Sequence, residues 1–176
     1  MIFRETELKG AYIIDIERRE DDRGFFARAF CRREFEAHDL NVDVAQCNIS
    51  FNAKKGTLRG MHYQVAPFTE AKLVQCTMGA MWDVIIDLRR DSPSYRRSLS
   101  IDLTPANRTM LYVPEGFAHG FLTLEDNTEV HYQMSEFYAP DYARGFRWND
   151  PAFRIEWPSE VKIISDRDRN YPDFDS

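Results

Sequence analysis

An all-β fold, a sandwich or barrel of short strands with a few short helices, is what the sequence predicts. Runs of four to seven residues rich in β-branched and aromatic side chains recur along the chain. Turn-forming residues separate them at intervals of roughly ten residues. No long stretch carries the apolar period of an amphipathic helix, which disfavours a parallel sheet with crossover helices.

Ala11 to Glu17, AYIIDIE, suits the first strand, and DDRG, Asp21 to Gly24, is a turn signal with FFARAF after it. Cys31 to Leu40 can hold a short helix with Phe35 and Leu40 inward. Leu73 to Cys76 and Trp82 to Leu88 read as strands flanking Met78-Gly79. Strand alternation puts Trp82, Val84, Ile86 and Leu88 on one face and Asp83, Ile85 and Asp87 on the other. After the turn DSPS, Asp91 to Ser94, strands are expected at Ser98 to Leu103, Met110 to Pro114, Gly120 to Leu124 and Glu129 to Met134. From Ser165 the charged SDRDRNYPDFDS reads by composition as a solvated tail, although IEWP, Ile155 to Pro158, ties the chain to the core just before it.

With 176 residues, no internal repeat and no Gly/Ser linker, residues 1–176 are expected to form a single domain. A net charge of −6 argues against a nucleic-acid partner, yet leaves room for a small phosphorylated ligand held by a local cluster of Arg and Lys. Three widely spaced cysteines without a CxxC pair make a disulfide framework improbable and a cytoplasmic location the simpler expectation. The N-terminal MIFRETELKG lacks the apolar region of a signal peptide. No uncharged run approaches the roughly 18 residues of a membrane span, so no membrane partner is expected.

The densest polar segment is GTLRGMHYQ, Gly56 to Gln64. Arg59 and His62 are three positions apart, so on a regular strand they face opposite ways, and a turn or bulge is needed if they act together. A lone histidine is more often a hydrogen-bonded structural residue than a base, but imidazole suits proton transfer near neutral pH. A second segment, VPEGFAHGF, places His119 after a Pro-x-Gly turn. Together the two segments resemble the halves of the cupin motif, a jelly-roll barrel. A metal-binding cupin carries His-x-His in its first half. Met-His-Tyr-Gln offers one histidine, and Glu70 has no paired ligand, so no metal is expected.

DDRGFF, QCNISFNAKKGTLRGMHYQ, AKLVQC, DVIIDLRRDSPSY, LYVPEGFAHGF, VHYQMSEFYAP, WNDPAFRIEWP and ISDRD follow one another in order. In order, spacing and residue type they resemble the dTDP-4-dehydrorhamnose 3,5-epimerase family, from about Arg4 to Asp168. The resemblance implies a cupin-like jelly-roll barrel, a homodimer, no cofactor, and a nucleotide-linked 4-keto-6-deoxy sugar as substrate. It implies that His62 is the general base, Tyr132 the general acid, Asp168 the carboxylate paired with the base, and Lys72 the lysine near the sugar carbonyl. It implies ligand contacts for Arg23, Gln46, Asn48, Arg59, His119 and Arg167, and stacking on the nucleotide base for Tyr138. Without it, Lys72 would read as a surface lysine and Asp168 as a solvated charge.

Three positions depart from the family pattern: Arg28, Cys47 and Ala143 stand where acids are common. The resemblance places them at the nucleotide end, so the base carried by the substrate is the open question. Competing readings are a 3- or 5-epimerase or ketoisomerase of a CDP- or GDP-linked 4-keto sugar, a non-catalytic sugar-nucleotide binding module, and a metal-dependent cupin oxygenase. The presence of His62 and Tyr132 disfavours the binding module, and the missing second histidine disfavours the oxygenase.

Overall fold

The computed structural model describes residues 1–174. The first part of the chain forms β1 (Ile2–Glu5), β2 (Tyr12–Asp15), the hairpin β3 (Arg19–Asp21) and β4 (Gly24–Phe26), helix α1 (Arg32–Glu36), β5 (Gln46–Asn52) and β6 (Thr57–Gln64). Then come β7 (Lys72–Met78), β8 (Met81–Asp87), β9 (Ser98–Leu103), β10 (Met110–Val113), β11 (Phe117–Thr123) and β12 (Thr128–Met134). The chain closes with β13 (Ala143–Gly145), β14 (Ile163–Ile164) and helix α2 (Asp166–Arg169). One sheet runs β1-β2-β10-β7-β12-β5 and the other β13-β6-β11-β8-β9, with β14 also against β6. The strand pattern predicts a sandwich or barrel, and the architecture is the jelly roll that the family resemblance implies.

Alternation along each strand sorts side chains into three layers. Between the sheets, Val74, Leu111 and Val130 meet Met81, Ile85 and Phe121. Behind the first sheet, Leu73, Met110 and Tyr112 are covered by Phe35 and Leu40 from the α1 region. Behind the second, Val84, Ile86 and Ala118 are covered by Phe146 and Phe153, with Trp82 and Leu88 alongside. The two faces of WDVIIDL thus separate as the sequence predicts, and both are buried.

Some boundaries differ from the sequence reading. Helix α1 stops at Glu36, and the chain turns back through Asp39 in a left-handed conformation (φ 57°). Strand β11 begins at Phe117 rather than Gly120, which brings His119 inside it. Strands β5 and β6 carry polar residues on their inward face, so they lack the apolar alternation that marks a buried strand. The segment after Ser165 is not a solvated tail: α2 packs against β6 and buries Asp168 to 4% exposure. Among the described residues, no helix is long and apolar enough to cross a membrane.

Candidate active site

The space between the sheets is apolar at one end and polar at the other. At the polar end two hollows of about 480 Å³ and 280 Å³ share His62, Lys72 and Tyr132 as common walls. His62 comes from β6 in one sheet, and Lys72 and Tyr132 from β7 and β12 in the facing sheet. Tyr132 pairs with Val74, two residues from Lys72, so the hydroxyl and the ammonium are diagonal neighbours on one wall.

A bulge places His62. Across the β6–β11 ladder His119 pairs with His62 and Phe121 with Arg59, so Gly60 and Met61 on β6 stand opposite the single Gly120 on β11. The extra residue turns Arg59 and His62 to the same face, the reconciliation that their odd spacing requires. Gly60 lies in this bulge with φ +136°, and a Cβ there would stand 2.6 Å from the Gly120 Cα, so only glycine fits.

The outer edge of β6 receives the C-terminal segment. Strand β14 pairs with Thr57 and Leu58, β13 pairs with His62 to Gln64, and Met61 exchanges backbone hydrogen bonds with Phe146, which leaves a gap at Gly60. Helix α2 starts directly after β14, and the Ser165 side chain accepts a hydrogen bond from the Asp168 N–H at its first turn. Asp168 drops into the gap. Its Oδ2 accepts from the Gly60 N–H at 3.2 Å, and its Oδ1 lies 2.7 Å from His62 Nε2. Burial alone would raise the Asp168 pKa, but the hydrogen bonds and charge from His62, with the Gly60 N–H, outweigh it and hold the carboxyl below its ordinary value. An ionised carboxylate only accepts, so in this pair His62 Nε2 is the donor, and Nδ1 is the ring nitrogen that Asp168 leaves unengaged. The imidazole remains 40% exposed and lines both hollows.

The other walls hold further charge. Lys72 pairs with Glu70 at 2.9 Å, both almost buried, and the second Glu70 oxygen has no partner among the described residues. Arg59 Nε donates to Asn52 Oδ1 at 2.8 Å, which aims the guanidinium along the larger hollow. His119 Nε2 lies 2.6 Å from Asp83 Oδ1, a second imidazole–carboxylate pair on the same wall as the first. The Tyr132 hydroxyl pKa is raised by burial, partly offset by the Arg59 charge, so the phenol stays protonated and able to donate.

Gln46, Asn48, Tyr138 and Arg167 line the smaller hollow. Gln46 Oε1 accepts from the Tyr138 N–H, and Gln64 Oε1 accepts from the Ala139 N–H, so β5 and β6 hold the loop that carries Tyr138. Arg23 stands apart. It lies at the tip of the β3–β4 hairpin, its side chain 90% exposed and paired with Asp21, and touches neither hollow of its own chain. Of the three departures from the family pattern, Ala143 lines the smaller hollow beside Arg144. Arg28 pairs with Glu34 beside the N-terminal amine, and Cys47 faces away from Gln46 and Asn48 on β5.

The sequence reading left out Asp83, Asn52 and Tyr171, and assigned Glu70 no role. Asp83 had a visible signal, an acid between the core residues Met81 and Ile85 on the inward face of β8. Glu70 had another, since it stands two residues before Lys72, the spacing that puts side chains of an extended chain on one side.

A family model for dTDP-4-dehydrorhamnose 3,5-epimerase matches residues 5–176. The chain is similar to dTDP-4-dehydrorhamnose 3,5-epimerase of Methanothermobacter thermautotrophicus, 41% identical over 172 residues, covering 96% of this chain and 92% of that relative. Its structure resembles the crystal structure of the enzyme of that name from Elizabethkingia anophelis, with TM-score 0.96 and 36% identity over 99% of this chain and 96% of that one. It also resembles the Bacillus anthracis enzyme of that name, solved with TDP and PPi bound, with TM-score 0.94 and 39% identity over 98% of this chain and 99% of that one.

Proposed function

The chain belongs to the dTDP-4-dehydrorhamnose 3,5-epimerase family, and on that premise we propose that it inverts carbons 3 and 5 of a nucleotide-linked 4-keto-6-deoxy hexose by proton transfer through an enolate. The observation that carries this reading is the pairing of a carboxylate-bound imidazole on one wall with a protonated phenol and an ammonium on the facing wall.

A ketone at carbon 4 acidifies the hydrogens on carbons 3 and 5, because loss of either leaves an enolate. His62 Nδ1 takes the hydrogen as a proton, and Asp168 stabilises the imidazolium that results. The electron pair moves onto the carbonyl oxygen, where the Lys72 ammonium meets it in a site shielded from water. Tyr132 returns a proton to carbon from the opposite wall, which inverts the centre. His62 then loses its proton to solvent, and the phenolate regains one. A second cycle at the other carbon completes the reaction. Every step is proton movement, so neither metal nor redox cofactor takes part. The test is incubation with the 4-keto sugar nucleotide in heavy water, read by NMR.

The nucleotide diphosphate sugar is held by Arg59, His119 and Arg167, with Gln46 and Asn48 along the floor and Tyr138 stacking on the base. With no acid at position 143 and with Arg144 and Arg167 beside it, the one carboxylate lining this hollow among the described residues is Glu70, which is already paired with Lys72. Thymidine should therefore be discriminated weakly. In competition calorimetry dTDP, UDP and CDP should bind within about tenfold of one another, and Ala143→Glu should widen the spread. A strong thymidine preference that Ala143→Glu leaves unaltered would contradict this.

The protein acts as a homodimer in the cytoplasm. Strand β5 is a sheet edge with Ile49 and Phe51 exposed, and the hairpin that carries Arg23 exposes Phe26. Pairing with a second copy covers this apolar surface and can bring Arg23 to a pocket. Sedimentation should give twice the chain mass of 20.7 kDa, and a monomer at micromolar concentration would refute it. The free thiols of Cys31, Cys47 and Cys76 suit a reducing compartment.

A further inference from the structure

We infer that Tyr171 is a positioning residue of this site: its ring braces the His62 imidazole, and its hydroxyl anchors Arg167 at the nucleotide end. The inference rests on the reading of His62 as the base and deepens it.

Helix α2 and the turn after it supply three side chains within five residues: Arg167, which lines the smaller hollow, and Asp168 and Tyr171, which both contact His62. The Tyr171 ring meets the His62 ring edge to face, with centroids 6.0 Å apart and planes at 66°. Room for it exists because the residue opposite His62 on β13 is Gly145. A Cβ on Gly145 would lie 2.5 Å from Tyr171 Cε2 and 2.7 Å from the Met61 carbonyl oxygen, so a side chain there would expel the ring. Asp168 fixes one nitrogen of the imidazole, but a single hydrogen bond leaves the ring free to tilt about it. Packing against Tyr171 restrains the tilt and so aims Nδ1.

The hydroxyl acts in the other direction. Arg167 Nε donates to it at 2.7 Å, and the guanidinium carbon lies 5.6 Å from the Tyr171 ring centroid. The same guanidinium reaches the Tyr138 hydroxyl at 3.4 Å. Held on both sides, Arg167 loses less freedom when a ligand phosphate arrives. Contacts thus run unbroken from Asp168 through His62, Tyr171 and Arg167 to Tyr138, joining the base to the nucleotide end.

Two variants separate the two tasks. Tyr171→Phe keeps the ring and removes the hydroxyl, so the Kd for dTDP should rise about fivefold, the worth of one hydrogen bond. Tyr171→Ala removes both, and at saturating substrate its kcat and solvent deuterium uptake should fall about tenfold or more. Tyr171→Phe should recover most of that lost turnover. Equal turnover in Tyr171→Ala and the unmodified protein, or equal losses in the two variants, would overturn the bracing role. An unchanged dTDP affinity in Tyr171→Phe would overturn the anchoring role. The dTDP titration needs no turnover, so failure of the epimerase reading would show separately, as absent exchange in the unmodified protein.

Discussion

Replacing His62 with alanine should abolish solvent deuterium uptake at both carbon 3 and carbon 5, with turnover down by at least about 10³-fold. The size of the effect follows from the geometry. His62 is the one imidazole that lines both hollows, and one of its nitrogens is committed to Asp168. A cavity without it still holds Lys72 to receive negative charge on the carbonyl oxygen, but has no group to take the proton. Binding should be little affected, because Arg59 is held by Asn52, and Arg167 keeps its hydrogen bonds to Tyr171 and Tyr138. Calorimetry with dTDP should therefore give a Kd within about threefold of the unmodified protein. Normal exchange in His62→Ala would remove His62 from the mechanism. The other carboxylate-backed imidazole on that wall, His119, would then be the base to examine.

Replacing Tyr132 with phenylalanine should split two observables that fall together in His62→Ala. The ring remains, packed beside the inner core, and the fold should be unaffected. Only the proton donor is lost. His62 can still remove a proton and return a solvent deuteron to the same face, so deuterium uptake should persist with retention of configuration. Net inversion should fall by about 10²–10⁴-fold, the usual worth of a general acid. The facing positions of the two groups make this outcome specific. His62 lies on the sheet containing β6 and Tyr132 on the sheet containing β12, so a proton given by one cannot reach carbon from the side of the other. Inversion at the normal rate in Tyr132→Phe would assign the donor to water or to another hydroxyl.

The fold was legible where strands bury an apolar face. The expected strand of WDVIIDL matches β8 to within one residue at each end, and SLSIDL matches β9 without change, because their side chains alternate against a layer of core. Strands β5 and β6 were harder to read, since they line the pocket and carry Gln46, Asn48, Arg59 and His62 where a core strand would carry Val or Leu. The residues that build function are thus the ones that blur the strand pattern. Candidate site residues were legible only through the family resemblance: composition gives Asp168 to a solvated tail, whereas the fold buries it against Gly60 and His62. Partner choices were the least legible. Asp83 reaches His119 across two neighbouring strands, and Tyr171 reaches His62 through the space over Gly145. Each depends on register and on the absence of a side chain elsewhere, neither of which the local sequence states.

Proton transfer by facing groups is the centre of the proposed chemistry, and one measurement addresses it most directly. The unmodified protein is incubated in heavy water with dTDP-4-dehydro-6-deoxyglucose, and the sugar protons are followed by NMR. Signals at carbon 3 and carbon 5 should both disappear as deuterium enters, while the product with both centres inverted accumulates without added metal or nucleotide cofactor. Retention of both proton signals, in a sample where the sugar nucleotide is demonstrably bound, would contradict the proposed function.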